Sequence, residues 1–279
     1  MKQIYHYIST MNIKKKLKKI RLIYWLYDKF RIWSIRKAIY QQELLSRVVW
    51  SMNMFIDLEN QYGTTKLNTA YLKIKVRGLH AFQIDLMDKA IGSLDISFVK
   101  KVTDLGDSSG AHLTYFKKGY VSGEGVEFIG VNIDEKAINK IQSRGFTALW
   151  RDIEYHIKQD TTDMAFMFET LEHLENPINV LRNIKYYMGC KTLIITVPYV
   201  KRSRVGLLKD FKNKKPEDRH LFELNPDDWG KIFTYCGWNV AYGKIYWQYP
   251  KKQLLLSYIL GCYWEKADFE GFYGVVLKR

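Results

Sequence analysis

Five short apolar runs between residues 98 and 197 alternate with helix-like segments, and this alternation constrains the fold of the 279-residue chain more than any other feature. Each run has the length of a strand and is followed by polar residues, glycine or proline. Strands that alternate with helices at this spacing predict a mostly parallel α/β sheet. Because open parallel sheets bind ligands beyond the carboxyl ends of their strands, we expect a site at that edge. The runs are residues 98–105, 127–131, 147–150, 163–168 and 192–197.

The turn after the first run contains two glycines and leads into a helix predicted over residues 111–118. A glycine-containing turn between a strand and a helix allows backbone N–H groups to approach a ligand closely. Gly119 is placed to end this helix. The dipeptides Asn176-Pro177 and Asn225-Pro226 predict two further helix starts, because each combines a capping side chain with proline at the first helical position. We expect the fifth strand to stop at Pro198.

These motifs, in this order, resemble a class I S-adenosylmethionine-dependent methyltransferase over about residues 102–199. The rest of the chain, to Arg279, is consistent with the C-terminal part of that family. The closest group is the small-molecule methyltransferase-domain group. One matching motif is the turn after the first strand, with Asp104, Gly106 and Gly110, in which Ser108 replaces the family's middle glycine. Another is the Leu-Glu-His signature at residues 171–173. Asn132, in Gly130-Val131-Asn132, stands where the family has a ribose-binding acid.

The resemblance implies a Rossmann-like fold, with a seven-stranded mostly parallel sheet flanked by helices. It implies S-adenosyl-L-methionine as the cofactor and a methyltransferase domain at residues 94–279, preceded by a basic helical extension at residues 1–93. The strands of the C-terminal part are expected at residues 238–247 and 271–277. The residues that the resemblance assigns to the cofactor are Asp104, Gly106, Ser108, Gly110, Asn132, Asp152 and Glu169.

We expect methylation of an oxygen on a small-molecule, glycan or lipid-linked acceptor, which requires a base. His173, just after the fourth strand, and His220, in the loop after the fifth, are the candidate catalytic residues. We expect no metal, because the three cysteines lack metal-ligand spacing. Two alternatives stay open: an RNA methyltransferase, and a non-catalytic protein that keeps the fold, which Ser108 and Asn132 suggest.

The positive charge of the chain is concentrated at its N-terminus. The whole chain has 44 Lys and Arg against 29 Asp and Glu, a net charge of +15, and residues 1–40 contain eleven of these cations against Asp28 alone. Apolar residues recur at helical spacing over residues 13–40, with Trp25 and Trp33 among them. This pattern is typical both of an interfacial helix on anionic lipid and of an amphipathic helix docked on the body of the protein, and both interpretations stay open.

A second basic segment, residues 201–215, follows the fifth strand on the acceptor side of the predicted site. It is either a solvated loop or a recognition element for an anionic acceptor. Nucleic acid is the less expected partner, because aromatic residues for base stacking are few here. The apolar stretch within residues 250–266 is too short to span a bilayer and fits a core or lid helix, or a second apolar contact. Three cysteines in a chain of this length favour a reducing compartment, so we expect a cytoplasmic protein that can lie on the inner face of the membrane.

Overall fold

A computed structural model describes residues 21–56, 69–92, 96–121, 125–156, 161–205, 220–248 and 271–279. Helices and strands alternate through the described chain, and a single seven-stranded sheet forms its centre. The α-helices are α1 (Arg21–Gln41), α2 (Leu45–Met54), α3 (Ala70–Ile91), α4 (Ala111–Tyr120), α5 (Glu135–Ser143), α6 (Pro177–Tyr186) and α7 (Pro226–Tyr235). The strands are β1 (Lys101–Leu105), β2 (Glu127–Asn132), β3 (Thr147–Trp150), β4 (Met164–Phe168), β5 (Thr192–Tyr199), β6 (Arg204–Val205), β7 (Phe222–Glu223), β8 (Asn239–Trp247) and β9 (Gly271–Lys278).

The sheet has the strand order β3-β2-β1-β4-β5-β9-β8. Strands β1 to β5 are parallel, and β9 runs antiparallel to both β5 and β8. The order reverses at β1, so the chain passes outward through β2 and β3 and then returns to β4. This reversal places the carboxyl ends of β1 and β4 side by side, and a crevice opens there in sheets of this type. The predicted Rossmann-like, seven-stranded sheet is confirmed.

The helix starts follow the sequence signals. Asn176 accepts a hydrogen bond from the backbone N–H of Asn179, and Asn225 accepts one from that of Asp228, so both side chains cap the helices that begin at the following proline. Gly237, with φ of +84°, follows the end of α7 in the left-handed conformation that glycine adopts at the lowest cost.

Two predicted boundaries are wrong, for separate reasons. Helix α4 continues through Gly119 to Tyr120, and a Cβ atom at Gly119 would lie 2.6 Å from the ring of Trp50, so this glycine allows a close approach instead of ending the helix. Strand β5 continues through Pro198 to Tyr199. Pro198 lies beyond Thr196, the last residue paired with β4, and borders only β9, where a missing N–H costs less.

Helix α3 lies against the sheet and belongs to its core. Twelve consecutive residues, Val76–Met87, are buried, which is typical of a helix covered on all sides. It crosses β9 at Gly274, where a Cβ atom would come within 2.5 Å of Phe82 and Leu86. The predicted boundary near residue 93 falls among residues that the structure does not describe and stays a prediction.

Parts of the other predictions also lie outside the described residues. These are residues 1–20 of the basic arm, 206–219 of the basic loop, and the apolar stretch at 250–266. Among the helices that are described, none is long and apolar enough to cross a membrane.

The contact between α3 and β9 predicts a contrast between two glycine-to-alanine substitutions. Gly274→Ala should lower the free energy of unfolding by about 1–3 kcal/mol, because the added methyl overpacks the buried Phe82 and Leu86. Gly230→Ala, in helix α7 with open space around it, should leave stability unchanged or raise it by up to about 1 kcal/mol. Urea unfolding followed by circular dichroism measures both. Equal stability of the two variants would contradict the packing described here.

Candidate active site

The turn between β1 and α4 lies at the topological switch of the sheet and has two glycines in the left-handed region. Gly106 has φ of +90° and Gly110, which caps α4, has φ of +75°. A Cβ atom at Gly106 would lie 2.8 Å from Cγ2 of Thr170, so the turn after β1 and the turn after β4 are in close contact. Only glycine allows this approach without displacing one of the turns.

Asp107 organises this turn from within, and the sequence analysis did not select it. Its Oδ1 accepts hydrogen bonds from the backbone N–H groups of Ser109 (2.9 Å) and Gly110 (2.6 Å). Its Oδ2 is buried and has no hydrogen-bond partner. Burial, reinforced by the neighbouring Asp104, raises the pKa of Asp107 to about 7. An Asp two residues before backbone N–H groups in a turn is the local signal that could have identified it.

Asp104 is buried at the end of β1 and belongs to a network that extends into α3. Its Oδ2 lies 3.0 Å from His112 Nδ1, and His112 Nε2 lies 3.0 Å from Gln83 Oε1. Gln83 in turn donates from Nε2 to Thr196 of β5, at 3.4 Å. Burial raises the pKa of Asp104 well above its usual range and lowers the pKa of His112 to about 4. The sequence analysis placed neither Gln83 nor His112 in the site, because their contacts join segments distant along the chain.

The predicted ribose and adenine residues lie at the ends of β2 and β3, which are neighbouring strands. Asn132 donates from Nδ2 to the carbonyl of Asp107 (2.8 Å), and its Oδ1 accepts from the N–H of Asp134 (2.8 Å). Asp152 accepts from the N–H of Glu154 at 2.8 Å. Both side chains are half-buried. Asn132 therefore braces the glycine turn, and each of its amide atoms keeps one further bonding position.

Glu169 lies at the end of β4 with a strained backbone, since its φ of +52° is unusual for a residue other than glycine. Its Oε1 is buried without a hydrogen-bond partner. Burial raises the pKa of Glu169 to about 8, although a hydrogen bond with Thr196 and the charge of Lys75 in α3 oppose the rise. Strained backbone at such an edge is typical of a functional position.

The two predicted catalytic histidines come together on the acceptor side of the site. The ring centroids of His173 and His220 are 4.8 Å apart, with the planes nearly perpendicular. His220 Nδ1 lies 3.2 Å from Glu223 Oε1, and the same carboxylate pairs with Arg204 of β6. Burial disfavours the charge on Glu223, but the hydrogen bonds from His220 and Arg204 outweigh it and lower the pKa of this carboxyl. The two strands β6 and β7 thus hold His220 next to the turn that contains His173.

The predicted site residues therefore form two neighbouring groups. Asp104, Gly106, Ser108, Gly110 and Asn132 surround the turn after β1, and Asp152 lies at the end of β3, farther along the same edge. Glu169, His173 and His220 form the second group, near Thr170. The first group, together with Asp107, fits S-adenosyl-L-methionine. The glycine turn allows backbone N–H groups to approach the cofactor closely, and the buried carboxyls of Asp104 and Asp107 suit its positively charged amino group.

Comparison with known families identifies the domain. Residues 84–242, more than half of the chain, match the model of a methyltransferase domain. The chain therefore belongs to this methyltransferase family, and its cofactor is S-adenosyl-L-methionine. The matched region begins within α3, next to Gln83. No curated protein sequence matched the chain.

Solved structures share the fold at low sequence identity. An O-methyltransferase from a polyketide synthase multienzyme of Brevibacillus brevis, solved with S-adenosyl-L-homocysteine, is 13% identical with a TM-score of 0.54, over 75% of this chain and 76% of that one. The O-methyltransferase StiE is 14% identical with a TM-score of 0.51, over 79% and 90%. The 4+2 cyclase SpnF is 11% identical with a TM-score of 0.52, over 88% and 96%. At these identities the similarity shows the fold alone.

The buried carboxyl of Asp107 predicts a pH-dependent effect on stability. Its pKa of about 7 lies above the usual value of 3.8, so the folded state prefers the protonated form, and this group costs stability as the pH rises from about 4 to above 7. Asp107→Asn keeps an oxygen for the N–H groups of Ser109 and Gly110 and removes the buried charge. The variant should be more stable than the parent by more than about 1 kcal/mol at pH 8, and the gain should shrink towards pH 5.

Urea unfolding at pH 5, 6.5 and 8 measures this difference. Asp227→Asn, at an exposed position in the first turn of α7, is the control and should show no such trend. A gain in stability that is the same at all three pH values would contradict a buried, titrating Asp107.

Proposed function

We propose that this methyltransferase transfers the methyl group to a hydroxyl oxygen of a small-molecule, glycan or lipid-linked acceptor. The observation that supports the proposal is the contact between His173 and His220, whose ring centroids are 4.8 Å apart. His173 lies in the turn after β4, and this turn contacts the glycine turn after β1 through Thr170. A hydroxyl must lose its proton as it is methylated, and these side chains supply the basic and electrostatic groups for that step. A protein that only kept the fold would not require a His220 oriented by Glu223.

When bound, S-adenosyl-L-methionine supplies a methyl group on a positively charged sulfur. The turn at Gly106 and the carboxyl of Asp104 hold the amino acid portion, and Asn132 and Asp152 lie where the ribose and adenine contacts are expected. His173 and His220 act on the acceptor hydroxyl. The acceptor oxygen would form a bond to the methyl carbon as the carbon–sulfur bond breaks with its electron pair left on sulfur, and the proton of the hydroxyl would pass to an imidazole nitrogen of His173 or His220. Alignment of the three atoms is the main contribution of the protein.

The charge around this opening supports an anionic acceptor. Lys201 and Arg202 are exposed immediately after β5, the strand whose end borders the site. Cations at the entrance would attract a phosphate or carboxylate on a glycan or a lipid-linked intermediate.

The role of His220 predicts a loss of turnover without a loss of cofactor binding. His220→Ala should lower kcat for acceptor methylation by about 10²–10⁴-fold, because the acceptor hydroxyl is no longer activated. The dissociation constant of S-adenosyl-L-homocysteine should change by less than about threefold, since His220 lies on the acceptor side. A screen of hydroxylated glycans and lipid-linked acceptors with radiolabelled cofactor measures the first quantity, and calorimetry measures the second.

His156→Ala is the matched control, because this histidine is exposed in the turn after β3. It should retain the activity of the parent chain. Absence of S-adenosyl-L-homocysteine binding at high micromolar concentration in the parent chain would instead favour a non-catalytic protein.

We also propose that the basic N-terminal region binds an anionic membrane surface, on the cytoplasmic side of the inner membrane. Helix α1 buries Ile35 and Ile39 against the body and leaves Trp25 and Trp33 about half exposed. Lys29 and Lys37 lie over these two rings, at 5.6 and 5.0 Å from the ring centroids. In α2, the exposed residues Leu45, Val49 and Met52 follow helical spacing and extend the apolar surface. Aromatic and apolar side chains flanked by lysine are typical of helices at a lipid interface.

The exposed tryptophans predict lipid-dependent sedimentation. The full chain should sediment with vesicles that contain phosphatidylglycerol and remain in the supernatant with neutral vesicles, because each cation near an anionic surface contributes about 1 kcal/mol. Trp25→Glu combined with Trp33→Glu should abolish sedimentation, whereas Phe98→Glu, at an exposed position before β1, should not. Loss of binding in both variants, or no sedimentation of the parent chain, would rule out this surface.

A further inference from the structure

Three side chains on the acceptor side have their ligating atoms in one small volume. The carboxylate of Glu172 and the imidazole nitrogens of His173 and His220 each offer an atom that lies within 4.8 Å of the other two. A metal ion with bonds of about 2.1 Å holds its ligands at most about 4.2 Å apart. An inward shift of less than about 1 Å would therefore bring all three atoms into one coordination sphere.

The carboxyl of Glu172 is the second, independent indication of a ligand. The side chain is fully buried, and neither of its oxygens has a hydrogen-bond partner. Its Oε1 lies 3.9 Å from Nε2 of His173, too far for a hydrogen bond. A buried carboxyl without a geometrically good hydrogen bond is costly, and a bound cation would reduce that cost.

His220 is oriented as a metal ligand would be. A carboxylate can only accept, so Nδ1–H of His220 donates to Glu223, and the lone pair of Nε2 is left for another group. Glu223 is itself held by Arg204. The backbone N–H of Leu221 donates to the carbonyl of Glu172 at 2.7 Å and ties the two segments together. A carboxylate that fixes the tautomer and direction of a histidine is the usual support of a metal-bound imidazole.

We propose that Glu172, His173 and His220 bind one divalent first-row transition-metal ion, such as Mn²⁺, Fe²⁺, Co²⁺ or Zn²⁺. Two imidazole nitrogens and one carboxylate suit these ions better than Mg²⁺ or Ca²⁺, which prefer oxygen alone. The histidine rings are partly exposed, at 25% and 35% of their side-chain surface, so the ion would keep an open side towards the acceptor. The expectation of a metal-free site rests on the spacing of the cysteines alone, and this set contains no cysteine.

The inference rests on the proposed function for its chemical role, because the ion would act on the acceptor hydroxyl. A hydroxyl bound to a divalent ion loses its proton at a lower pH than a free one. The proton passes to water at the open side, and the oxygen then bonds to the methyl carbon as the carbon–sulfur bond breaks. With the ion bound, His173 and His220 would act on the acceptor through the ion, and this route would replace the direct transfer of the proton to an imidazole.

Among the described residues, a second group with suitable atoms is Asp104, Asp107 and His112. There both ring nitrogens of His112 are already engaged, by Asp104 and by Gln83. This group is therefore a hydrogen-bond network at the cofactor turn. Both groups contain a buried carboxyl oxygen without a hydrogen-bond partner, but only in the acceptor-side group is an imidazole lone pair, that of His220 Nε2, left for another group, and this favours it as the metal site.

Direct metal binding to the full chain tests the proposal without any assay of activity. The protein is stripped with EDTA, dialysed and titrated with Co²⁺, Zn²⁺ and Mn²⁺ by calorimetry, and the visible absorption of Co²⁺ reports nitrogen and oxygen ligands. We expect about one ion per chain. His220→Ala and Glu172→Gln should each weaken binding by at least about tenfold. His156→Ala and Glu175→Gln, at exposed positions, should bind as the parent does.

His220 is partly exposed at the edge of the fold, so His220→Ala keeps the test valid if the substitution at the buried Glu172 prevents folding. Absence of stoichiometric binding by all three ions, or equal binding by His220→Ala, overturns the proposal. Calorimetry with S-adenosyl-L-homocysteine on the same preparations separates the two hypotheses. Methylation that persists in EDTA without bound metal would leave the proposed function intact and refute the metal site. Metal binding that is lost in His220→Ala would support the site even if no hydroxyl acceptor is methylated.

Discussion

The burial of twelve consecutive residues of helix α3, Val76–Met87, is the constraint on which the rest of the structure depends. A helix covered on all sides can keep polar residues only if each has a partner. Arg77 donates to the carbonyls of Ser51 and Phe55 at the end of α2. Asp85 binds Arg47 and Lys244, so it joins α2 to β8. The polar residues of this one helix thus fix the N-terminal helices and the last strands relative to the sheet.

The same helix also reaches the active site. Gln83 continues the network of Asp104 and His112 to Thr196, and Lys75 lies near the buried Glu169. The cofactor side and the acceptor side are therefore braced by a segment that the sequence analysis assigned to an extension before the catalytic domain. The methyltransferase match, which begins at residue 84, includes only the last eight residues of this helix.

The strands and helix starts could be predicted from sequence because each depends on neighbouring residues. The apolar runs, Asn176-Pro177 and Asn225-Pro226 are local signals, and the structure contains the corresponding elements. Gln83, His112 and Glu172 could not be assigned in the same way. Gln83 lies 113 residues along the chain from its partner Thr196. Glu172 is notable because its buried oxygens have no hydrogen-bond partner, and only the three-dimensional structure can show that. The role of Gly119 could not be predicted either, because the ring that leaves no room for a side chain there belongs to Trp50, which is distant along the chain.

The fold by itself does not determine the reaction, because a 4+2 cyclase shares it with methyltransferases. The cofactor turn after β1 is built from backbone and buried carboxyls and would serve any acceptor. The acceptor chemistry that we propose lies in the turn after β4 and in β6 and β7, where His173, Glu172 and His220 are held together. Strand β6 begins two residues after the exposed Arg202, and Arg204 of this strand pairs with Glu223, which contacts His220. The positive charge and the proposed activating groups therefore belong to connected segments. An anionic acceptor drawn in by that charge would therefore arrive with its hydroxyl near the group that can activate it.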